Sequence, residues 1–183
     1  MVDIVLQSVY FMFPAYVANM LPQLFCRFKL LEFLNIPVDF DVKMGKQTIF
    51  GDHKTWRGVL IGILGSIFIV YLQKRLEGVG FFLGISLLDY SSINILIVGF
   101  LFGAGALIGD IFKSFIKRRI NIAPGKTMPV FDQLDFVIGA LLFISLIYTP
   151  SLNNVIAIFI LSPLLHVAVN IIAYFLKLKK VWY

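Results

Sequence analysis

Residues 93–119 read INILIVGFLFGAGALIGDIFKSFIKRR. The first seventeen carry no charge, and the last ten carry five: Asp110, Lys113, Lys117, Arg118 and Arg119. A helix needs roughly 20 mostly apolar residues to cross the hydrocarbon core of a bilayer. Inside that core only a helix or a closed barrel satisfies its own backbone. Gly99, Gly103, Ala104, Gly105, Ala106 and Gly109 are the small residues that let helices pack closely in lipid. The stretch therefore reads as a membrane helix that runs without a spacer into a charged segment. Composition agrees. The chain has 183 residues, 60% of them hydrophobic and 14% charged, with mean hydropathy +0.92. Soluble domains are about 45–50% apolar and about 25% charged.

Four more apolar runs make up the set: residues 2–24, containing Pro14, residues 59–73, residues 136–149 and residues 152–176. Residues 79–88 are apolar but too short to cross alone, and read as an interfacial or re-entrant piece or as an extension of the second hairpin. The expected fold is an all-α polytopic membrane protein, with five transmembrane helices and two long loops, forming one domain over residues 1–183. The first run has Asp3 at its start and no Lys or Arg before it, unlike the basic start of a cleaved signal peptide. The single cysteine, Cys26, excludes an internal disulfide and any CxxC metal site.

Basic residues give the orientation. With five spans, loops 25–57 and 110–135 and the C-terminal tail hold fourteen Lys and Arg, against two (Lys74 and Arg75) on the other side. The positive-inside rule puts both long loops and the C-terminus in the cytoplasm and the N-terminus outside. The net charge of +6 is then topology plus attraction to anionic membrane lipids, not a nucleic-acid footprint.

Topology accounts for the count of charges but not for their spacing. Asp110, Lys113, Ser114 and Lys117 fall at i, i+3, i+4 and i+7. They share a face if the helix continues past Gly109. Asp132 and Asp135 are also three apart, at the start of the next apolar run. Acids at a helix N-terminus are well tolerated, so capping is one reading of this pair. The other is chemistry, because carboxylates at the membrane boundary are costly unless paired or metal-bound. Mg²⁺ prefers hard oxygen ligands and takes one or two carboxylates with phosphate, and Lys and Arg neutralise phosphate charge. The pattern suits phosphoryl or nucleotidyl transfer. Pro124 and Gly125 form a turn that could return Lys126 to such a site. A second cluster, FGDHKTWRG at 50–58, adds Gly51, Lys54, Thr55 and Arg57. Asn19 in the first span is either helix-packing glue or a substrate contact. His166 and Asn170, at i and i+4 on the last span, are either packing residues or ligands.

SFIKRRINIAPGKTMPVFDQLDF at 114–136 resembles the signature of the CTP-dependent phosphatidate cytidylyltransferases: S-x-x-K-R, a Lys, a Pro and a D-x-x-D pair. It is more similar to the archaeal branch, the CDP-archaeol synthases. PAYVANMLP at 14–22, FGDHKTWRG at 50–58, GDIFKSFIKRR at 109–119 and SPLLHVAVNIIAY at 162–174 match that branch too. The resemblance covers nearly the whole chain. The chain lacks the His-Gly-Gly segment of the phosphatidate enzymes, carrying Val130 and Phe131 before the acids instead, and it is shorter than they are. Both departures favour the archaeal branch.

The resemblance implies Mg²⁺, CTP and a lipid phosphate such as unsaturated archaetidic acid, joined to CMP with release of pyrophosphate. It implies Asp110, Asp132 and Asp135 as metal-facing acids. It implies Lys113, Lys117, Arg118 and Lys126 as phosphate binders, with Ser114 and Gln133 in support, and Gly51, Lys54, Thr55 and Arg57 from the second cluster. Asn19, His166 and Asn170 join them as candidate substrate contacts. Two rivals fit less well. The D-G-x2-A-R-x8-G-x3-D-x3-D pattern of a CDP-alcohol phosphotransferase is absent. A small transporter or channel would carry its ionisable groups at mid-membrane, whereas here they cluster at one end.

Overall fold

The computed structural model describes residues 2–25, 30–45, 47–51, 53–122, 128 and 131–175. Six α-helices account for most of them: α1 (Val2–Phe25), α2 (Trp56–Leu76), α3 (Gly80–Ile85), α4 (Ile95–Arg119), α5 (Phe131–Ile144) and α6 (Leu152–Phe175). A 3₁₀ turn (Glu32–Leu34) and a small hairpin, β1 (Lys43–Met44) and β2 (Gln47–Thr48), lie between α1 and α2.

The helix limits follow from local chemistry. α4 starts at Asn94, whose side chain accepts the Leu96 and Ile97 amides at 2.9 and 3.3 Å, an N-cap that satisfies otherwise unpaired donors. It stops at Asn121, which takes the left-handed conformation at φ 61°. The Asn121 amide donates to Arg118 O and the Ile122 amide to Lys117 O, the paired closing bonds of a Schellman terminus. The expected span at 93–109 is thus only the first part of one continuous helix, and its charged last third keeps the helical register. Thr55 caps α2, its hydroxyl accepting the Gly58 amide.

Among the described residues four helices are long and apolar enough to cross a membrane: α1, α2, α4 and α6. α5 is shorter than the expected run to residue 149. Its helix ends at Ile144 and residues 145–147 turn. Fourteen residues at 1.5 Å each span about 21 Å, less than the roughly 30 Å of a hydrocarbon core. The segment nonetheless passes from one end of the bundle to the other. Asp132 lies beside the C-terminal third of α4, while Asn154, just past its far end, donates to Ser8 Oγ near the start of α1. Residues 79–88 hold the short α3, whose Phe81 and Leu83 are exposed.

α4 is the central helix, packed against α1, α2 and α5. Its approach to α5 is the closest feature of the fold. A Cβ at Gly139 would overlap the Gly105 carbonyl, and one at Gly109 would overlap the Asp135 carbonyl. Glycine at these positions lets the two backbones touch, and this contact brings Asp110, the next residue, up to Asp135. Phe11, Met12, Val70, Tyr90, Phe102, Val137 and Ile158 fill the core. Leu96, Leu142, Leu152 and Leu164 face outward, as lipid-facing leucines do. Polar bonds also tie the elements together: Tyr16 to Ser162 at 2.8 Å between α1 and α6, Gln73 Nε2 to the Tyr10 carbonyl at 2.6 Å between α2 and α1, and the Tyr90 hydroxyl, from the turn before α4, to Gln73 Oε1 at 3.0 Å.

Candidate active site

The charged third of α4, the first turn of α5 and the turn before α2 meet at one end of the bundle. Lys113 is at the centre. Its Nζ lies 3.0 Å from Asp110 Oδ1, 3.3 Å from Asp132 Oδ1 and 2.6 Å from Asp135 Oδ2. Lys54 reaches across from the second cluster to pair with Asp110. Lys117, one turn beyond Lys113, donates to both Asp132 oxygens at 3.0 and 3.2 Å. Three carboxylates and three ammonium groups thus form one knot from three segments of chain.

The acids differ in environment. Burial disfavours the charged form of Asp132, but the Met128 amide, which donates to Oδ2 at 2.6 Å, and then Lys113 and Lys117 outweigh it and hold the carboxyl below its usual range. Burial dominates at Asp135. Together with the nearby Asp110 charge it outweighs Lys113 and pushes the carboxyl up to about 6. The geometry is consistent with this. Lys113 Nζ is close to Asp135 Oδ2, yet that oxygen has no aligned hydrogen-bond donor among the described residues.

Around the knot, Arg118 is buried and its guanidinium donates to the Ile122 carbonyl, while its Nε has no acceptor among the described residues. It faces Gly51, where an added Cβ would stand 3.8 Å from Nε. Ser114 is buried, and its hydroxyl donates to the Asp110 carbonyl one turn back. Thr55 is engaged as the α2 cap, and Arg57 is buried in the first turn of that helix. Gln133 is half-buried between the two α5 acids. Lys126 and its Pro124-Gly125 turn lie outside the described residues, as does Cys26.

Asn19, His166 and Asn170 are elsewhere. They line a cavity of about 450 Å³ between α1, α5 and α6, with Tyr16, Gln23 and Ser162 as further polar residues and Val9, Phe13 and Leu165 among the apolar ones. The cavity meets the knot through Phe136, which lines it and directly follows Asp135. Apolar clefts with a few convergent polar groups are the usual form of ligand sites.

Mg²⁺ takes hard oxygen ligands, and the three aspartates supply that donor set around a point already occupied by a cation, the Lys113 ammonium. The under-bonded Asp135 Oδ2 is the kind of oxygen a metal would satisfy. Among the described residues no three His, Cys, Asp or Glu side chains stand close enough to share one ion as they lie. The donor chemistry fits, and closure on an ion requires Lys113 to give way.

Sequence reasoning missed two residues that shape the site. Arg119 stacks on Phe115 and donates to the Met44 and Thr48 carbonyls, clasping the β1–β2 hairpin to the end of α4. Asp39 is buried and accepts the Phe50 and Gly51 amides. Neither has a spacing signal, because their partners lie 71 to 75 and 11 to 12 positions away.

The family model for CarS-like proteins, CDP-archaeol synthase, matches residues 1–183. A CDP-archaeol synthase of Methanococcus maripaludis is 37% identical over 178 residues, covering 96% of this chain and 95% of the relative. One of Pyrococcus furiosus is 34% identical over 180 residues and covers 97% of each. A solved structure described as "Structural insight into an intramembrane enzyme for archaeal membrane lipids biosynthesis" superposes with TM-score 0.71 at 30% identity, covering 91% of this chain and 94% of that one. The protein belongs to the CDP-archaeol synthase family.

Proposed function

We propose that this chain transfers CMP from CTP to a lipid phosphate at the Lys113 knot, giving a CDP-lipid and pyrophosphate. Membership of the CDP-archaeol synthase family makes it a lipid cytidylyltransferase and leaves the transporter reading without support. The observation that carries the assignment of residues is the convergence of Asp110, Asp132 and Asp135 on one cationic centre, flanked by Lys54 and Lys117, beside an apolar cavity.

The lipid phosphate lies with its chains in the cavity between α1, α5 and α6, its polar head toward Asn19, His166 and Asn170. The CTP triphosphate lies on the basic groups Lys54, Lys113, Lys117 and Arg118, with Gly51, Thr55, Arg57, Ser114 and Gln133 around them, and the family resemblance adds Lys126 as a phosphate binder. A phosphate oxygen of the lipid attacks the α-phosphorus of CTP. The bond from that phosphorus to the bridging oxygen breaks, and pyrophosphate leaves with the electron pair. The attacking group is already anionic at neutral pH, so no general base is required. Fixed cations that neutralise the crowded phosphates and hold the reactants in line supply most of the acceleration. Asp110, Asp132 and Asp135 would hold Mg²⁺, which when bound adds Lewis-acid charge neutralisation at the triphosphate.

The same reading has five spans, with residues 136–149 as the fourth crossing, loops 25–57 and 110–135 and the C-terminus in the cytoplasm, and one domain over residues 1–183. The basic asymmetry and the passage of residues 131–151 along the bundle support it. An archaeal-type ether lipid is the preferred substrate, because the relatives named above are CDP-archaeol synthases. Purified protein given labelled CTP, Mg²⁺ and either archaeal-type or diacyl glycerol phosphate should release pyrophosphate one for one with CDP-lipid. Turnover of the diacyl form alone would correct the substrate, and no CDP-lipid from either would reject the assignment.

A further inference from the structure

Asp39 is 7% exposed and makes no ion pair among the described residues. A buried carboxylate needs hydrogen bonds in compensation, and backbone supplies them. Oδ2 accepts the Phe50 amide at 2.8 Å and the Gly51 amide at 3.4 Å, and Oδ1 accepts the Asp41 amide at 3.2 Å. Gly51 has φ +96°, a conformation that glycine alone adopts without strain. Its carbonyl accepts the Lys54 amide at 3.1 Å, and the Lys54 carbonyl accepts the Val38 amide at 2.7 Å. Lys54 is therefore held at its amide by the turn that Asp39 binds and at its carbonyl by the residue before Asp39. Its side chain then crosses to Asp110. With the Gly51 amide taken by Asp39, this turn does not offer that amide to a phosphate. Its contribution to an anion comes through Lys54 and the adjacent Arg118.

We propose that Asp39 is a positioning residue for nucleotide binding: its buried carboxylate sets the Gly51 turn and, through that turn, aims Lys54 at the triphosphate site. It does not touch substrate. The role rests on the cytidylyltransferase reading above.

Asp39→Ala leaves three amides without their acceptor, those of Phe50, Gly51 and Asp41, and frees the turn. It should raise KM for CTP about tenfold or more, while KM for the lipid phosphate stays within about twofold, since the cavity between α1, α5 and α6 shares no residue with the turn. Asp39→Asn keeps the shape and one acceptor oxygen. It should raise KM for CTP by a smaller factor in the same selective way, and it replaces the alanine variant if that one does not fold. The decisive measurement combines Asp39→Asn with Lys54→Ala, because residues that act through one another give non-additive effects. With Lys54 already truncated, the factor due to Asp39→Asn should largely vanish. Multiplying factors, an equal rise in both KM values, or an unchanged KM for CTP in Asp39→Asn would each overturn the role. Wild-type protein in the same assay separates the two levels. An active wild type with any of those results sinks only Asp39, whereas a wild type that forms no CDP-lipid sinks the cytidylyltransferase reading and this role with it.

Discussion

Replacing Lys113 by methionine removes the cation at the centre of the knot while keeping its length. Three carboxylates lose a partner at 2.6–3.3 Å. Asp110 retains Lys54 and Asp132 retains Lys117, but Asp135 has no second ion pair among the described residues. The side chains of Lys113 and Asp135 are 15% and 6% exposed, so solvent screens little. Breaking a buried pair by removing one partner costs about 3–5 kcal/mol. With two of the three acids still paired, the lower end, about 3 kcal/mol, is expected here. The thermal midpoint of Lys113→Met in detergent with EDTA should therefore lie well below that of wild type. Mg²⁺ should then raise the midpoint of the variant more than that of wild type, since a metal can enter the vacated centre without displacing an ammonium. Turnover should fall by about 10²–10³-fold even in saturating Mg²⁺, the size of effect seen when one fixed group that stabilises transition-state charge is lost. Equal midpoints in EDTA, or equal shifts on adding Mg²⁺, would refute the view of Lys113 as the cation that stands where the metal binds.

Two further outcomes are expected, the first from the asymmetry of basic residues and the second from the Asp135 environment. Cysteines at Met44 and Asn121, on the clasped hairpin and the α4 terminus, should be shielded from an impermeant thiol reagent in intact cells while one at Glu77 labels; external labelling of Asn121 would invert the topology. The raised Asp135 carboxyl predicts opposite pH trends for activity and metal-free stability. Its folded value of about 6 exceeds the unfolded value of about 4, so its contribution to stability is present below about 4 and is lost as pH rises through about 6. In the proposed metal-dependent reaction Asp135 acts in its ionised form, so turnover should fall as pH drops through that same range. Wild type and Asp135→Asn compared in EDTA by thermal midpoint against pH should differ in this window, and parallel curves would remove Asp135 as the titrating group.

The four long membrane helices α1, α2, α4 and α6 were readable because hydropathy over some 20 residues is a local signal. The D-x-x-D spacing and the α4 face were readable because they repeat at the helical period. Two kinds of feature were not. The continuation of α4 to Arg119 depends on the Asn121 terminus, and an isolated Asn in a charged segment does not announce a left-handed turn. The end of α5 at Ile144 was hidden because the following residues are as apolar as the helix. Long-range contacts were beyond reach altogether. Nothing in the spacing of FGDHKTWRG says that Lys54 pairs with Asp110, 56 positions later, or that Thr55 is engaged as a cap. The separation of Asn19, His166 and Asn170 into a cavity of their own is equally a product of packing among α1, α5 and α6.

That separation bears on how two unlike substrates meet. A triphosphate arrives from water and needs cations, while a lipid arrives from the bilayer and needs an apolar wall open toward it. One surface cannot serve both without exposing charge to lipid, which is costly. In the proposed assignment the requirements are divided at a single peptide bond: Asp135 faces the knot and Phe136 lines the cavity. α5 can hold that boundary because it touches α4 backbone to backbone at Gly105, Gly109 and Gly139, a contact too tight to slide. A methyl group at Gly109 would meet the Asp135 carbonyl and push α5 away from α4. In the proposed reaction that single displacement would move the acid and the lipid wall together, so the distance between the attacking phosphate and the bound triphosphate is set by helix packing as much as by any group that touches them.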